Sequence, residues 1–317
     1  MTHESDRIAS AQGCLLGQLV GDALGSLVEF RSPEEIRRAY PDGVRDLADG
    51  GTWNTLAGQP TDDSEMALLL ARMLIEQGTY DAAAAHAAYR FWLASEPFDC
   101  GMTVATGLTG QPNHDSQANG ALMRISPLGI FGAGRRLSSI ADWAEQDAAL
   151  THPHRVCRQA NALFAMAIAH AIDTAPTPDA LYRTILDWAE DLAVAPTLMD
   201  AIRQAADAPA ADHVRQQGWV LIAMRNALWQ LLHAPSVEAG LVDTVMRGGD
   251  TDTNAAICGA LLGAVHGLAA IPDRWTAPVL GCRPAAGQPE VRRPRPECLW
   301  PVDALDLARA LVSAALE

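Results

Sequence analysis

The chain has 317 residues, 23 basic against 38 acidic side chains for a formal charge of −15, and is 49% hydrophobic with only 5% aromatic. That is the composition of a soluble, core-forming protein whose acidic surface disfavours non-specific binding to nucleic acid. All 23 basic residues are arginine, and the absence of lysine excludes Schiff-base chemistry and a Walker-type phosphate loop.

In chain order, apolar residues recur at helical spacing and no alternating Val, Ile and Thr run is long enough to anchor a sheet. The pattern predicts helices over about 8–27, from about 63, and over 82–94, 120–131, 156–172, 178–194, 217–233, 236–246, 253–269 and 302–316. Loops are expected at 41–60, 107–118 and 281–301, and none has the low-complexity bias of a linker, so residues 1–317 are read as one all-α domain. In the last loop, the prolines among Arg292, Arg293 and Arg295 suggest a solvated surface stretch. Residues 255–271 are apolar but shorter than the roughly 20 residues a bilayer needs, and are read as a buried helix. Six cysteines without a CxxC pair, behind a polar N-terminus, suggest a reducing cytoplasm.

Two predicted helices carry glycine at every fourth position: Gly13, Gly17, Gly21 and Gly25 in one, Gly259, Gly263 and Gly267 in the other. Each glycine in a helix costs about 1 kcal/mol relative to alanine. The stripes therefore predict helices whose backbones approach closely in the core.

Two acidic clusters share a local grammar. Gly58-Gln59-Pro60-Thr61-Asp62-Asp63-Ser64-Glu65 and Gly248-Gly249-Asp250-Thr251-Asp252-Thr253-Asn254 each run from a glycine-containing loop into a helix. Capping needs one such residue per helix, and Asp62 with Glu65 has capping-box spacing. Two carboxylates within three positions, twice in one chain, repel unless a cation lies between them, and oxygen-only ligands suit Mg²⁺ or Mn²⁺. On spacing alone, capping and metal binding both stand. There is no HExxH, GxSxG or GxGxxG motif.

Five motifs follow one another: Gly21-Asp22-Ala23-Leu24-Gly25 with Glu29-Phe30; Ala57-Gly58-Gln59 with Thr61-Asp62-Asp63 and Glu65-Met66; Asn119-Gly120-Ala121-Leu122-Met123-Arg124; Thr151-His152; and Gly248 to Thr253. In these motifs, over residues 8 to about 276, the sequence resembles the ADP-ribosylglycohydrolases, most of all the bacterial dinitrogenase reductase-activating branch. The resemblance implies a single-domain orthogonal helical bundle with a binuclear Mg²⁺ or Mn²⁺ cleft. It assigns Thr61, Asp62 and Asp63 to one half of the metal site and Asp250, Asp252 and Thr253 to the other. Glu29 and Asp99 are the implied catalytic carboxylates. Asn119, Gly120 and Arg124 are implied near the distal ribose and pyrophosphate, and His152 on the adenosine side. Asp22 is expected to hydrogen-bond in the core.

The implied reaction is hydrolysis of the bond joining ADP-ribose to an arginine of a modified protein, with ADP-ribose as product. Serine, a nucleic-acid base or a free ADP-ribose derivative are alternative acceptors, and the fold is also similar to crystallin-type proteins without activity. Ala118 before the Asn-Gly pair and the loop His152-Pro153-His154-Arg155 depart from the family pattern and bear on ligand fit.

Overall fold

Glycine at four-residue intervals strips one face of a helix of side chains, and two such faces can close on each other. In the computed structural model, which describes residues 4–314, helix Glu4–Gly25 packs antiparallel against helix Thr251–His266 along those faces. Gly13 lies against Gly263, Gly17 against Gly259, Gly21 against Ala255, and Gly25 against Asp252. A Cβ at any of these glycines would come closer than 3.0 Å to backbone of the facing helix. Gly267 differs from the stripe reading. It ends its helix at φ +75°, a conformation that favours glycine, and a Cβ there would meet nothing nearer than the Ala9 carbonyl at 3.7 Å.

With this pair at the centre, the described residues form fifteen α-helices in all, joined by turns and short 3₁₀ segments, an all-α orthogonal bundle. No strand occurs among the described residues, only the isolated bridges Gly50–Thr55 and Ala118–Trp219. Helix Arg155–Thr174 buries almost its whole apolar stripe against Ser126–Gly132 and Leu137–Ala149. No helix among the described residues is long and apolar enough to cross a membrane, and residues 251–264 are buried in the protein core.

Most expected helices are present with ends shifted by a few residues. The 120–131 stretch splits into a 3₁₀ turn, Leu122–Arg124, and Ser126–Gly132, because Pro127 has no N–H to continue a helix. The C-terminal helix is Ala304–Ala314; the rest of the expected 302–316 span lies outside the described residues. Helices Pro33–Ala39, Met102–Leu108, Leu137–Ala149, Pro196–Gln204 and Asp273–Gly281 were not among those expected.

Two local expectations are corrected. Asp62 and Glu65 form no capping box: Thr61 is the N-cap, and Asp22 from the neighbouring helix accepts from the backbone N–H groups of Thr61 and Ser64 at 3.1 to 3.2 Å. The basic stretch at 292–295 is not a solvated loop throughout. Arg295 is buried and donates to both carboxylate oxygens of Glu65 at 2.7 and 2.8 Å, where Trp92 Nε1–H also donates. A second signal was present in sequence, since an acid in a buried helix start needs a cationic partner.

Candidate active site

Both acidic clusters open helices whose first turns meet in one cleft of about 740 Å³. The second is delivered by a tight turn. Gly248 and Gly249 have φ near +75°, and side chains there would strike the carbonyls of Arg31 and His213. Gly249 accepts from Phe30 N–H at 2.7 Å and donates to the Arg31 carbonyl at 3.0 Å. Thr251 Oγ1 donates to the Gly25 carbonyl at 2.7 Å. These bonds lock the 248–253 turn onto the end of the N-terminal helix, 220 residues away in sequence, and so bring Glu29 beside Asp250 and Asp252.

One carboxylate oxygen from each of Glu29, Asp250 and Asp252 lies within 4.8 Å of the others. Asp62, Thr253 and Asp99 line the same cleft, the last on the loop before Met102–Leu108. Behind them Asp63 is buried, with Oδ2 accepting from Thr61 Oγ1 at 3.0 Å and Oδ1 without a hydrogen-bond partner. Thr61 Oγ1 also reaches Asp22 Oδ1 at 2.9 Å.

Burial and mutual repulsion raise the pKa of these acids. Burial, then the Asp250 charge, pushes Glu29 up to about 8. Burial, then Glu29, Asp63 and Asp250, pushes Asp99 up to about 8. Asp62, Asp63 and Asp252 are raised strongly, first by burial and then by neighbouring carboxylates. No arginine lines the cleft among the described residues. Clustered buried carboxylates, one with an orphaned oxygen and none with a cationic side chain in the cleft, are the donor set a hard divalent cation satisfies. The residues fit such a cation.

A family model for the ADP-ribosylglycohydrolases matches residues 3–311. The chain belongs to the ADP-ribosylglycohydrolase family. It is 31% identical over 284 residues to the ADP-ribosyl-[dinitrogen reductase] glycohydrolase of Rhodospirillum rubrum, covering 84% of this chain and 88% of that protein. It is 28% identical to the ADP-ribosylarginine hydrolase Tri1 of Pseudomonas putida, over 85% of this chain and 74% of that one. Among solved structures it is similar to an ADP-ribosylglycohydrolase-related protein complex, with TM-score 0.78, 26% identity and coverage of 98% and 99% of the two chains. Membership in this family supports glycosidase-type hydrolysis.

Against that family frame, the expected ligand residues divide. Asn119, Gly120 and His152 line the same cleft as the carboxylates. Asn119 Nδ2 donates to Asp250 Oδ2 at 2.7 Å, and a Cβ at Gly120 would press on Val104 and the His152 ring. His152 is held neutral, pushed down to about 3 by burial and then by Arg124; its Nδ1 meets Thr151 Oγ1 at 2.8 Å and its Nε2 has no partner. Arg124 is not brought to the cleft. Its guanidinium is wholly buried, donating to Asp147 Oδ1 at 3.0 Å, Thr151 Oγ1 at 2.9 Å and the Gly120 carbonyl at 3.4 Å, over the ring of Tyr89. It supports the Gly120 loop and, through Thr151, the His152 ring.

The sequence reading missed several wall residues, including Trp53, Phe98, Cys100 and Gln217. They sit on irregular loops whose paths no periodicity encodes. The aromatic residues flanking Glu29 and Asp99 were the one available signal.

Proposed function

We propose that the protein is a Mg²⁺- or Mn²⁺-dependent hydrolase that cleaves the N-glycosidic bond between ADP-ribose and an arginine side chain of a modified protein. The observation that carries this reading is the convergence of Glu29, Asp250 and Asp252 in a carboxylate-lined cleft large enough for a nucleotide. The arginine linkage is favoured by the names of the Rhodospirillum and Pseudomonas relatives.

Glu29, Asp250, Asp252 and Thr253 would hold one cation, and Thr61, Asp62 and Asp63 would complete the site for a second. When bound, such a pair supplies positive charge for the ribose diol and lowers the pKa of the attacking water. Asp99, which lines the same cleft, would take the proton of the attacking water at its carboxylate. It returns a proton to the leaving guanidine nitrogen as the C1–N bond breaks through an oxocarbenium-like state. Burial, and then the neighbouring carboxylates, raise the pKa of Asp99, which favours a proton-carrying role. Gly120 leaves room for the diphosphate, Asn119 orients Asp250, and the free Nε2 of His152 offers one hydrogen bond to the nucleoside.

The test is incubation with Mg²⁺ or Mn²⁺ and substrates ADP-ribosylated on arginine, serine or nucleic acid, followed by mass spectrometry. Intact ADP-ribose and unmodified arginine are expected. Turnover of the serine- or base-linked substrate alone would overturn the arginine assignment, and release of phosphate would overturn glycosidic cleavage.

A further inference from the structure

Trp53 lies on the irregular loop between Gly50 and Thr55, outside every motif that marks the family in this sequence. Its indole Nε1–H donates to Glu29 Oε2 at 2.6 Å. The neighbouring Thr52 Oγ1 donates to the Glu29 carbonyl at 3.0 Å, so consecutive residues of one loop grip both the side chain and the backbone of Glu29. The indole is itself held between two rings of the cleft. Phe30 meets it edge-on at 6.3 Å and Phe98, the residue before Asp99, packs tilted at 6.1 Å. Arg293 donates to the Trp53 carbonyl at 2.8 Å while its guanidinium lies 5.8 Å from the Phe98 ring centre. Gln59 Nε2, two residues before Thr61, donates in turn to the Arg293 carbonyl at 2.6 Å.

We infer that Trp53 is a positioning residue for Glu29. A carboxylate has two oxygens and free rotation about its last bond. An indole N–H fixed on Oε2 stops that rotation and leaves Oε1 free of that donor, available to a cation. Partners of this kind set the orientation and basicity of a cation-binding carboxylate, and their loss typically weakens cation binding by about 10- to 100-fold. Because Phe98 packs on the same indole, the ring also joins Glu29 to the loop that carries Asp99. The inference rests on the cation-binding reading of Glu29 given above.

The experiment uses Trp53→Phe, which keeps an aromatic ring between Phe30 and Phe98 but removes the donor, and Trp53→His, which restores a ring N–H at nearly the same reach. Trp53 is only partly buried, so both variants should fold, as thermal melts monitored by circular dichroism will verify. Mn²⁺ affinity is read by isothermal titration calorimetry without substrate, and kcat and KM on ADP-ribosylated arginine separately. Trp53→Phe should lose about 10- to 100-fold in Mn²⁺ affinity and lower kcat more than it raises KM at saturating Mn²⁺. Trp53→His should recover part of both. Wild-type Mn²⁺ affinity in folded Trp53→Phe, or a loss that Trp53→His does not recover at all, overturns the positioning role alone. Absence of Mn²⁺ binding by the wild-type protein overturns the cation-binding reading on which it stands.

Discussion

Replacing Gly17 by alanine tests the helix crossing that organises the molecule. A Cβ at Gly17 would sit closer than 3.0 Å to the carbonyl of Gly259, whereas ordinary contact begins at 3.4 Å. The obstacle is backbone in the middle of a buried helix, so no side chain can rotate away and the two helices must separate. Such overpacking costs about 1 to 3 kcal/mol, and a rigid backbone obstacle argues for the upper end. Alanine returns about 1 kcal/mol of helix propensity, leaving a net loss of about 2 kcal/mol. For a chain of this size that corresponds to a melting point lower by about 3 °C. Gly281 is the internal control, because it too is a helical glycine but has nothing within 4 Å of its added Cβ, so Gly281→Ala should melt at or slightly above the wild type. Gly25→Ala adds a functional arm, since its Cβ would press directly on Asp252. Its loss should appear in Mn²⁺ affinity as well as in the melt. If Gly17→Ala and Gly281→Ala melt together, the close approach of these helices is not what the glycines are for.

Asp252→Ala should abolish Mn²⁺ binding by calorimetry together with activity, and chelation of the wild type should be reversible on adding Mn²⁺; activity persisting in chelator would refute the cation dependence. Asp99→Asn should lower kcat by about 10²- to 10⁴-fold with Mn²⁺ affinity nearly kept, whereas Glu29→Gln should weaken both, a contrast that equal effects in the two variants would erase. Arg124→Met removes one partner of a wholly buried ion pair and should destabilise by about 3 to 5 kcal/mol in urea unfolding, while ADP-ribose binding by the folded fraction stays within a few-fold; total loss of binding in folded protein would return Arg124 to the ligand. Burial pushes His213 down to about 4, below its ordinary 6.5. The unfolded chain therefore takes up a proton that the folded one refuses, and relative to His213→Gln the wild type should lose up to about 3 kcal/mol as the pH falls from 6.5 to 4. A stability difference that stays flat with pH would show that His213 is not held neutral.

The four-residue glycine period and the doubled aspartates were legible because each is a local pattern with a physical cost that something must offset. The helix Pro33–Ala39 was equally legible and overlooked: Ser32 and Glu35 form the capping box that 62 and 65 do not, with Pro33 at the first helical position. Helix Asp273–Gly281 was hidden by Pro278 within it. The grouping of Glu29 with Asp250 and Asp252 was beyond local reading. It depends on the paired backbone of Phe30, Arg31 and Gly249, a contact between segments with no shared periodicity. Arg124 and Arg295 misled in opposite directions. One looked like a ligand residue and is a core ion pair; the other looked solvated and neutralises the buried Glu65. Charge at a motif or in a proline-rich loop does not indicate which way a long side chain turns.

The capping arrangement explains why so many acids can face one cleft. A helix start must satisfy orphan N–H groups, and an aspartate at that position ordinarily turns its carboxylate back onto its own backbone. At the 62–77 helix that task falls to Asp22 from the adjacent helix, which accepts from Thr61 and Ser64. Asp62 is thereby free to line the cleft, and Asp63 keeps an oxygen without a partner. At the 251–266 helix Asp250 is the N-cap residue yet makes no side-chain cap; its Oδ2 instead accepts from Asn119. The first helix thus gives up its own capping, and at the second only Asp252 turns back, its Oδ1 accepting from the Thr253 N–H at 2.9 Å, so that the carboxylates stand at the positive end of a helix dipole, where negative charge is favoured. The glycine contact then sets the separation of the parts, because Gly25 touches Asp252 and the chain reaches Glu29 four residues later. Any side chain added to that contact moves one half of the carboxylate cluster against the other, so the stability of the core and the spacing of the site are one property of the same crossing.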